Sequence, residues 1–156
     1  MTYTLRREQW VARPIDEVFA FFADAQNLEK ITPPWLDITV LSMSTDSIKE
    51  GTVIRYRLQL HGIPFYWQTE ICEWNPPHCF VDEQAKGPYK QWRHTHRFEA
   101  HGSRTKMIDE VQYSLPFGVL GRIVHAVKVR SDVYRIFDYR RSQIGGIFCP
   151  PREIEA

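Results

Sequence analysis

The stretch KQWRHTHRFEAHGSRTKMIDEVQYSL, Lys90 to Leu115, decides how this chain folds. Two runs of mixed apolar and polar residues flank Gly102-Ser103, a pair suited to a two-residue hairpin loop. Side chains alternate between the faces of a strand, so Trp92, His94, His96 and Phe98 share one face. Met107, Asp109, Val111 and Tyr113 share the matching face of the second run. A two-residue loop pairs His101 with Arg104 and, counting back, Phe98 with Met107, His96 with Asp109, His94 with Val111 and Trp92 with Tyr113. A symmetric four-residue loop gives the same pairs, whereas a one-residue bulge breaks them. Residues directly opposite on one face hold their β-carbons about 4.5–5.5 Å apart, close enough for a carboxylate to meet an imidazole N–H.

The same alternation extends towards the N-terminus. TVIRYRLQLHG (52–62) and IPFYWQTEICEW (63–74) read as a hairpin turning at His61-Gly62. Asn75-Pro76-Pro77 breaks the chain, and HCFVDEQAKG (78–87) returns as the next strand. Asp82 and Asp109 each precede a glutamate, so each pair splits between the two faces, with the aspartates inward and Glu83 and Glu110 outward. Asp82 comes near His94, although no short turn fixes the phase of its strand. A first strand is expected over Tyr3 to Arg13. A helix follows Pro14, with Asp16 and Glu17 in its first turn and Ile15, Val18, Phe19 and Phe22 as its stripe. A short helix over about Ala25 to Ile31 ends at Pro33-Pro34. After Pro116 the spacing predicts a long helix from Val119 to about Ile144, with Leu120, Ile123, Val124, Val127, Tyr134 and Phe137 recurring at helical intervals. Ser131 falls within that stripe, which points to polar or open space beneath it.

The element order is therefore strand, two short helices, about six antiparallel strands and a long helix. An antiparallel sheet with one apolar face needs a cover, and the last helix has the length to supply it. This predicts an α+β fold, a curved sheet of about seven strands wrapped around the C-terminal helix with a cavity between them. Residues 1–145 are expected to form one domain and residues 146–156 a tail.

Composition narrows the function classes. The 156 residues carry a net charge of +1, which gives no basic footprint for a nucleic-acid partner. The 43% hydrophobic and 25% charged fractions are ordinary for a soluble domain, while 13% aromatic is rich. No run approaches the ~18 apolar residues of a membrane span, and MTYTLRREQW has no signal-peptide core. The three cysteines, Cys72, Cys79 and Cys149, form no CxxC pair, so reduced thiols and a cytoplasmic location are expected.

ARPIDEVFAFFADAQNLEKITPPW, followed by EWNPPHCFVDEQAKGPYKQWRHTHRFE and TKMIDEVQYSLPFGVLGRIV, resembles the START-like helix-grip superfamily. The likeness is to its bacterial cyclase/dehydrase-like and coenzyme Q-binding-like members and covers about Tyr3 to Arg141. It implies an interior cavity for a small hydrophobic molecule. It carries over no catalytic motif, because one scaffold in this superfamily hosts binders, carriers and enzymes.

Three readings of the histidine face stay open. In the first, His94, His96, Asp82 and Asp109 form a buried polar ladder. In the second they anchor the polar end of a lipid-, polyketide- or quinone-like molecule. Tyr56, Leu58, Trp67, Trp92, Phe98, Val111 and Tyr113 then supply walls from the sheet, and Ile123, Val127, Ser131 and Tyr134 from the helix. In the third, His96 and Asp109 are a proton-moving pair in a cyclase or dehydratase. His-x-His on a strand with Asp82 or Asp109 is a weak metal motif, so no metal and no cofactor is expected. An interaction module docking through the segment around Pro33 to Leu36, with Trp35, is a further alternative.

Overall fold

Alternation at Leu5, Val111 and Tyr113, or at Ile54, Tyr56 and Ile71, leaves one face of each strand apolar, and these faces add up to a single concave surface. The computed structural model describes residues 1–148. Seven strands, β1 (Tyr3–Val11), β2 (Thr39–Met43), β3 (Val53–Leu60), β4 (Ile63–Asn75), β5 (Cys79–Lys86), β6 (Gln91–His101) and β7 (Arg104–Ser114), form one antiparallel sheet in the order β1-β7-β6-β5-β4-β3-β2. The long hairpin has the expected register, with Trp92 opposite Tyr113, His94 opposite Val111, His96 opposite Asp109 and Phe98 opposite Met107. Gly102 turns it with φ +64, the first position of a mirror-image turn. Register shifts in β4, at Gln68/Thr69 and Ile71/Glu73, add local twist and curvature.

Between β1 and β2 lie α1 (Ile15–Phe22) and α2 (Leu28–Ile31). Pro14 precedes the first helical residue, and Asp16 and Glu17 sit where the positive end of the helix favours them. Val18, Phe19 and Phe22 pack with Phe80, Phe98, Met107, Ile144 and Phe148 into the largest core cluster.

The C-terminal helix is not uniform. It comprises α3 (Gly118–Val124), a π turn over His125–Val129 and α4 (Arg130–Ile147). A π turn accommodates one extra residue, so the stripes on its two sides do not line up. Val133 and Phe137 of α4 close on Leu5, Val111 and Tyr113. Ile144 and Phe148 close on the α1 cluster. The helix also runs through Gly145-Gly146, where the sequence reading begins a tail, and buried Phe148 follows it. Cys149 lies outside the described residues.

The result is the α+β helix-grip arrangement read from the sequence, a curved seven-stranded sheet around a long C-terminal helix. No helix among the described residues is long and apolar enough to cross a membrane.

Candidate functional site

Strands β5, β6 and β7 place Asp82, His94, His96 and Asp109 on the concave face, where α4 lays Arg140 over them. His94, His96, Asp109 and Arg140 are all buried. The side chains do not bond straight across the register. His94 Nε2 lies 3.0 Å from Asp109 Oδ1, although His96 is the residue opposite Asp109. His96 Nε2 lies 2.7 Å from Asp82 Oδ2, although His94 is the residue opposite Asp82. His96 Nδ1 also lies 3.3 Å from Asp109 Oδ1. Arg140 donates from Nε to Asp109 Oδ2 at 3.4 Å and sits over the Phe22 ring. Phe80 stacks on His96 with ring centroids 3.9 Å apart.

Burial works against a charge on either imidazole, and the outcomes differ because the partners differ. For His94, burial and the adjacent His96 outweigh the pull of Asp109, and the pKa falls to about 4. For His96, burial is opposed by hydrogen bonds and charge from both Asp109 and Asp82, which together hold it above the usual imidazole value. Burial raises Asp109, but Arg140, His94 and His96 outweigh it and keep the carboxyl well below its ordinary range. Asp82 is likewise lowered despite burial, chiefly by its hydrogen bond from His96. His94 is thus the neutral ring, donating from Nε2, and His96 is the ring that more readily carries a proton.

Beside this group the walls enclose a cavity of about 210 Å³. Tyr56, Leu58, Trp67, Trp92, Asp82, His94 and His96 line it, and all seven are among the sequence-predicted residues. Burial keeps the Tyr56 phenol neutral by raising its pKa. The sequence reading misses the opposite wall. Phe21, Phe22, Leu28 and Ile31 of the α1–α2 segment face the sheet, with Ile54, Thr69, Ile71 and Phe80 beneath them. Exposed Asp24 lies on the same side, where the cavity reaches the surface.

The remaining predicted residues lie elsewhere. Phe98 is packed into the α1 core, Val111 and Tyr113 into the cluster under Phe137, and Asp109 sits behind the histidines. Tyr113 donates or accepts a 2.7 Å hydrogen bond with His125. Ile123 and Val127, expected to point inward from the helix, are 56% and 76% exposed. Ser131 is exposed too, and half-buried Tyr134 packs under Arg7 and Arg130. The reason is the π turn. The expected stripe runs straight through it, whereas the buried face beyond it is Val133, Phe137, Arg140 and Ile144. The cavity is therefore covered by α1 and α2, and among the described residues the long helix gives it Arg140 alone. The buried polar residue near Ser131 is Asp132, held by His61 at 3.0 Å and Lys128 at 3.4 Å. Trp35 packs edge-on to Tyr139 and under Arg135.

Donor atoms of Asp82, His94 and His96 lie within 4.8 Å of one another, a span a metal ion can bridge. Both Nε2 atoms are already bonded to carboxylates, and the Arg140 guanidinium lies alongside. A dication there would enter against an adjacent positive charge, so the donor set fits a metal poorly. Cys72 and Cys79 are no better as nucleophiles, because burial raises both thiols, Cys72 to about 11.

The sequence profile described as "Polyketide cyclase / dehydrase and lipid transport" matches residues 11–131. Among solved structures, the chain is similar to protein Ms6760 from Mycobacterium smegmatis, with 21% identity, 92% of this chain and 89% of that one covered, and a TM-score of 0.67. It is similar to the Zhui aromatase/cyclase from a Streptomyces species, with 15% identity, 96% and 98% covered, and a TM-score of 0.67. It is also similar to major latex-like protein 151 from Panax ginseng, with 13% identity, 96% and 99% covered, and a TM-score of 0.70. At these identities the likeness is one of fold. No curated protein matches the chain significantly.

Proposed function

Because the chain belongs to the polyketide cyclase / dehydrase and lipid transport family, we propose that it binds a small, largely apolar molecule in the cavity beneath α1 and α2. One observation carries this reading, the composition of the walls. Apolar and aromatic side chains dominate, while Asp82, His94 and His96 converge at one end. Such a site buries a hydrophobic body and fixes its orientation through a few polar contacts. The volume of about 210 Å³ is below the ~300–1,000 Å³ of drug-sized sites. It favours a compact ring system with one hydroxyl or carbonyl oxygen over a long acyl chain.

The reading is tested by comparing native and denatured masses of the purified protein and by titrating it with 2-naphthol, followed by tryptophan quenching at Trp67 and Trp92. A retained organic mass, or saturable quenching that Leu58→Trp abolishes by filling the cavity, is the expected result. Quenching unchanged in Leu58→Trp places the probe elsewhere and overturns the reading.

A second reading is favoured by the unequal basicity of His94 and His96. His96 lines the cavity, is bonded to Asp82 at 2.7 Å and is the more basic of the two rings, so it can exchange a proton with a ligand directly, which suits a cyclase or dehydratase step. His96→Ala separates the two. A binder loses affinity modestly, whereas an enzyme loses turnover by roughly 10²–10⁴-fold.

A further inference from the structure

Helix α3 is amphipathic in the reverse sense. Gly121 is buried, and so is His125 one turn later. A β-carbon on Gly121 would lie 2.1 Å from the Pro116 carbonyl oxygen, so the helix backbone packs directly on the Leu115–Pro116 segment that leads into it. The large apolar residues point the other way. Val119, Leu120, Ile123, Val124 and Val127 are all exposed, and Phe117 at the head of the helix is 80% exposed. Residues three and four apart share one helix face, so these side chains form a continuous stripe. Isolated exposed apolar residues need no explanation, but six large ones side by side point to an interaction surface.

The charge pattern identifies what fits it. From residue 111 to 131 there is no Asp or Glu, while Arg122, Lys128 and Arg130 fall within or next to the stripe. Lys128 is 3.4 Å from Asp132, and Arg130 lies over Tyr134, so both anchor at the edge of the patch. Two copies meeting through this stripe would bring both Arg122 side chains into one apolar contact with no acidic residue from 111 to 131 to pair them. A bilayer surface with anionic headgroups accepts both features, because apolar side chains enter the interface and Lys and Arg meet the phosphates.

We propose that residues 117–128 form a docking surface for an anionic lipid bilayer, with Phe117, Leu120, Ile123 and Val127 entering the interface, Arg122 at the headgroups, and Lys128, paired with Asp132, at the edge. Docking is peripheral, since no described helix spans a membrane. It is independent of what the cavity holds.

Cosedimentation of the full chain with two kinds of vesicle tests this, phosphatidylcholine alone and an equal mixture of phosphatidylcholine and phosphatidylglycerol. The protein is expected to pellet with the mixture, less with phosphatidylcholine, and less with the mixture as salt rises. The double variant Leu120→Asp/Val127→Asp is expected to lower the partition coefficient by roughly a hundredfold. Leu41→Asp, an exposed apolar position on β2, is expected to leave it unchanged. Both positions of the double variant are exposed, so its far-ultraviolet circular dichroism should match the parent. Three results overturn the proposal: no pelleting with the mixed vesicles, equal pelleting of the double variant, or a dimeric native mass that the double variant returns to monomer.

Discussion

Arg140 Nε lies 3.4 Å from Asp109 Oδ2, and this contact ties α4 to β7 directly behind the two histidines. Both residues are buried, so neither charge has bulk water as an alternative partner. Arg140→Leu should destabilise the protein by about 3–5 kcal/mol, the usual cost of stranding a buried charge. Adding Asp109→Asn removes the second charge while keeping an acceptor for His94, and should recover part of the loss. Denaturant unfolding of the three variants checks this. A double variant no more stable than Arg140→Leu contradicts it.

The two histidines predict a stability maximum near pH 6.5. Below that value an unfolded His94 takes up a proton that the folded ring refuses until about pH 4, so stability falls as pH drops between them. The folded His96 pKa is raised, so its contribution is complete below 6.5 and is lost as pH rises through the folded value. The lowered Asp82 and Asp109 contribute stability above about pH 4 that is lost on further acidification. Unfolding free energy measured from pH 4 to 9 should therefore rise and then fall. His94→Phe should shrink the acid limb but not abolish it, because His125 is also lowered by burial, and an unchanged acid limb in that variant assigns the slope to His125 or another group.

Asp82 and Asp109 should behave differently although both hold imidazoles. Asp82 lines the cavity, and Asp109 sits behind the histidines. Asp82→Asn is expected to weaken 2-naphthol binding by about tenfold or more, the worth of a charge-assisted hydrogen bond. Asp109→Asn is expected to act mainly on stability. Fluorescence titration beside denaturant unfolding separates them, and equal loss of affinity in both variants argues against a ligand-facing Asp82.

Two glycines of the C-terminal helix give opposite expectations. Gly121→Ala drives a methyl group into the Pro116 carbonyl and should cost about 1–3 kcal/mol by overpacking. At Gly146 a β-carbon would meet nothing within 4 Å, so Gly146→Ala should stabilise by about 0.4–1 kcal/mol. Thermal unfolding of the pair checks both signs.

The β6–β7 hairpin is fully legible in the sequence because a short Gly102-Ser103 turn leaves little freedom in phase, and the inward turn of Asp82 and Asp109 follows from alternation alone. The crossed bonding of His94 to Asp109 and His96 to Asp82 is not legible, since side-chain rotation decides it after the strands are paired. The helix face is misread because periodicity carries no mark of a π turn. A signal for Arg140 does exist. Val133, Phe137, Arg140 and Ile144 follow steps of four, three and four, which place the arginine on the apolar stripe. The α1–α2 wall has no such signal, because which helix covers which half of a sheet depends on three-dimensional packing.

The crossed network has a consequence for how fast the cavity fills. With His96 protonated, Asp82, Asp109, His96 and Arg140 sum to no net charge, and the whole chain carries only +1. Such a site projects almost no field into solvent, so it cannot draw a charged guest from a distance. Encounter then depends on unaided diffusion to the opening beside Asp24, and the rate of filling should be indifferent to ionic strength.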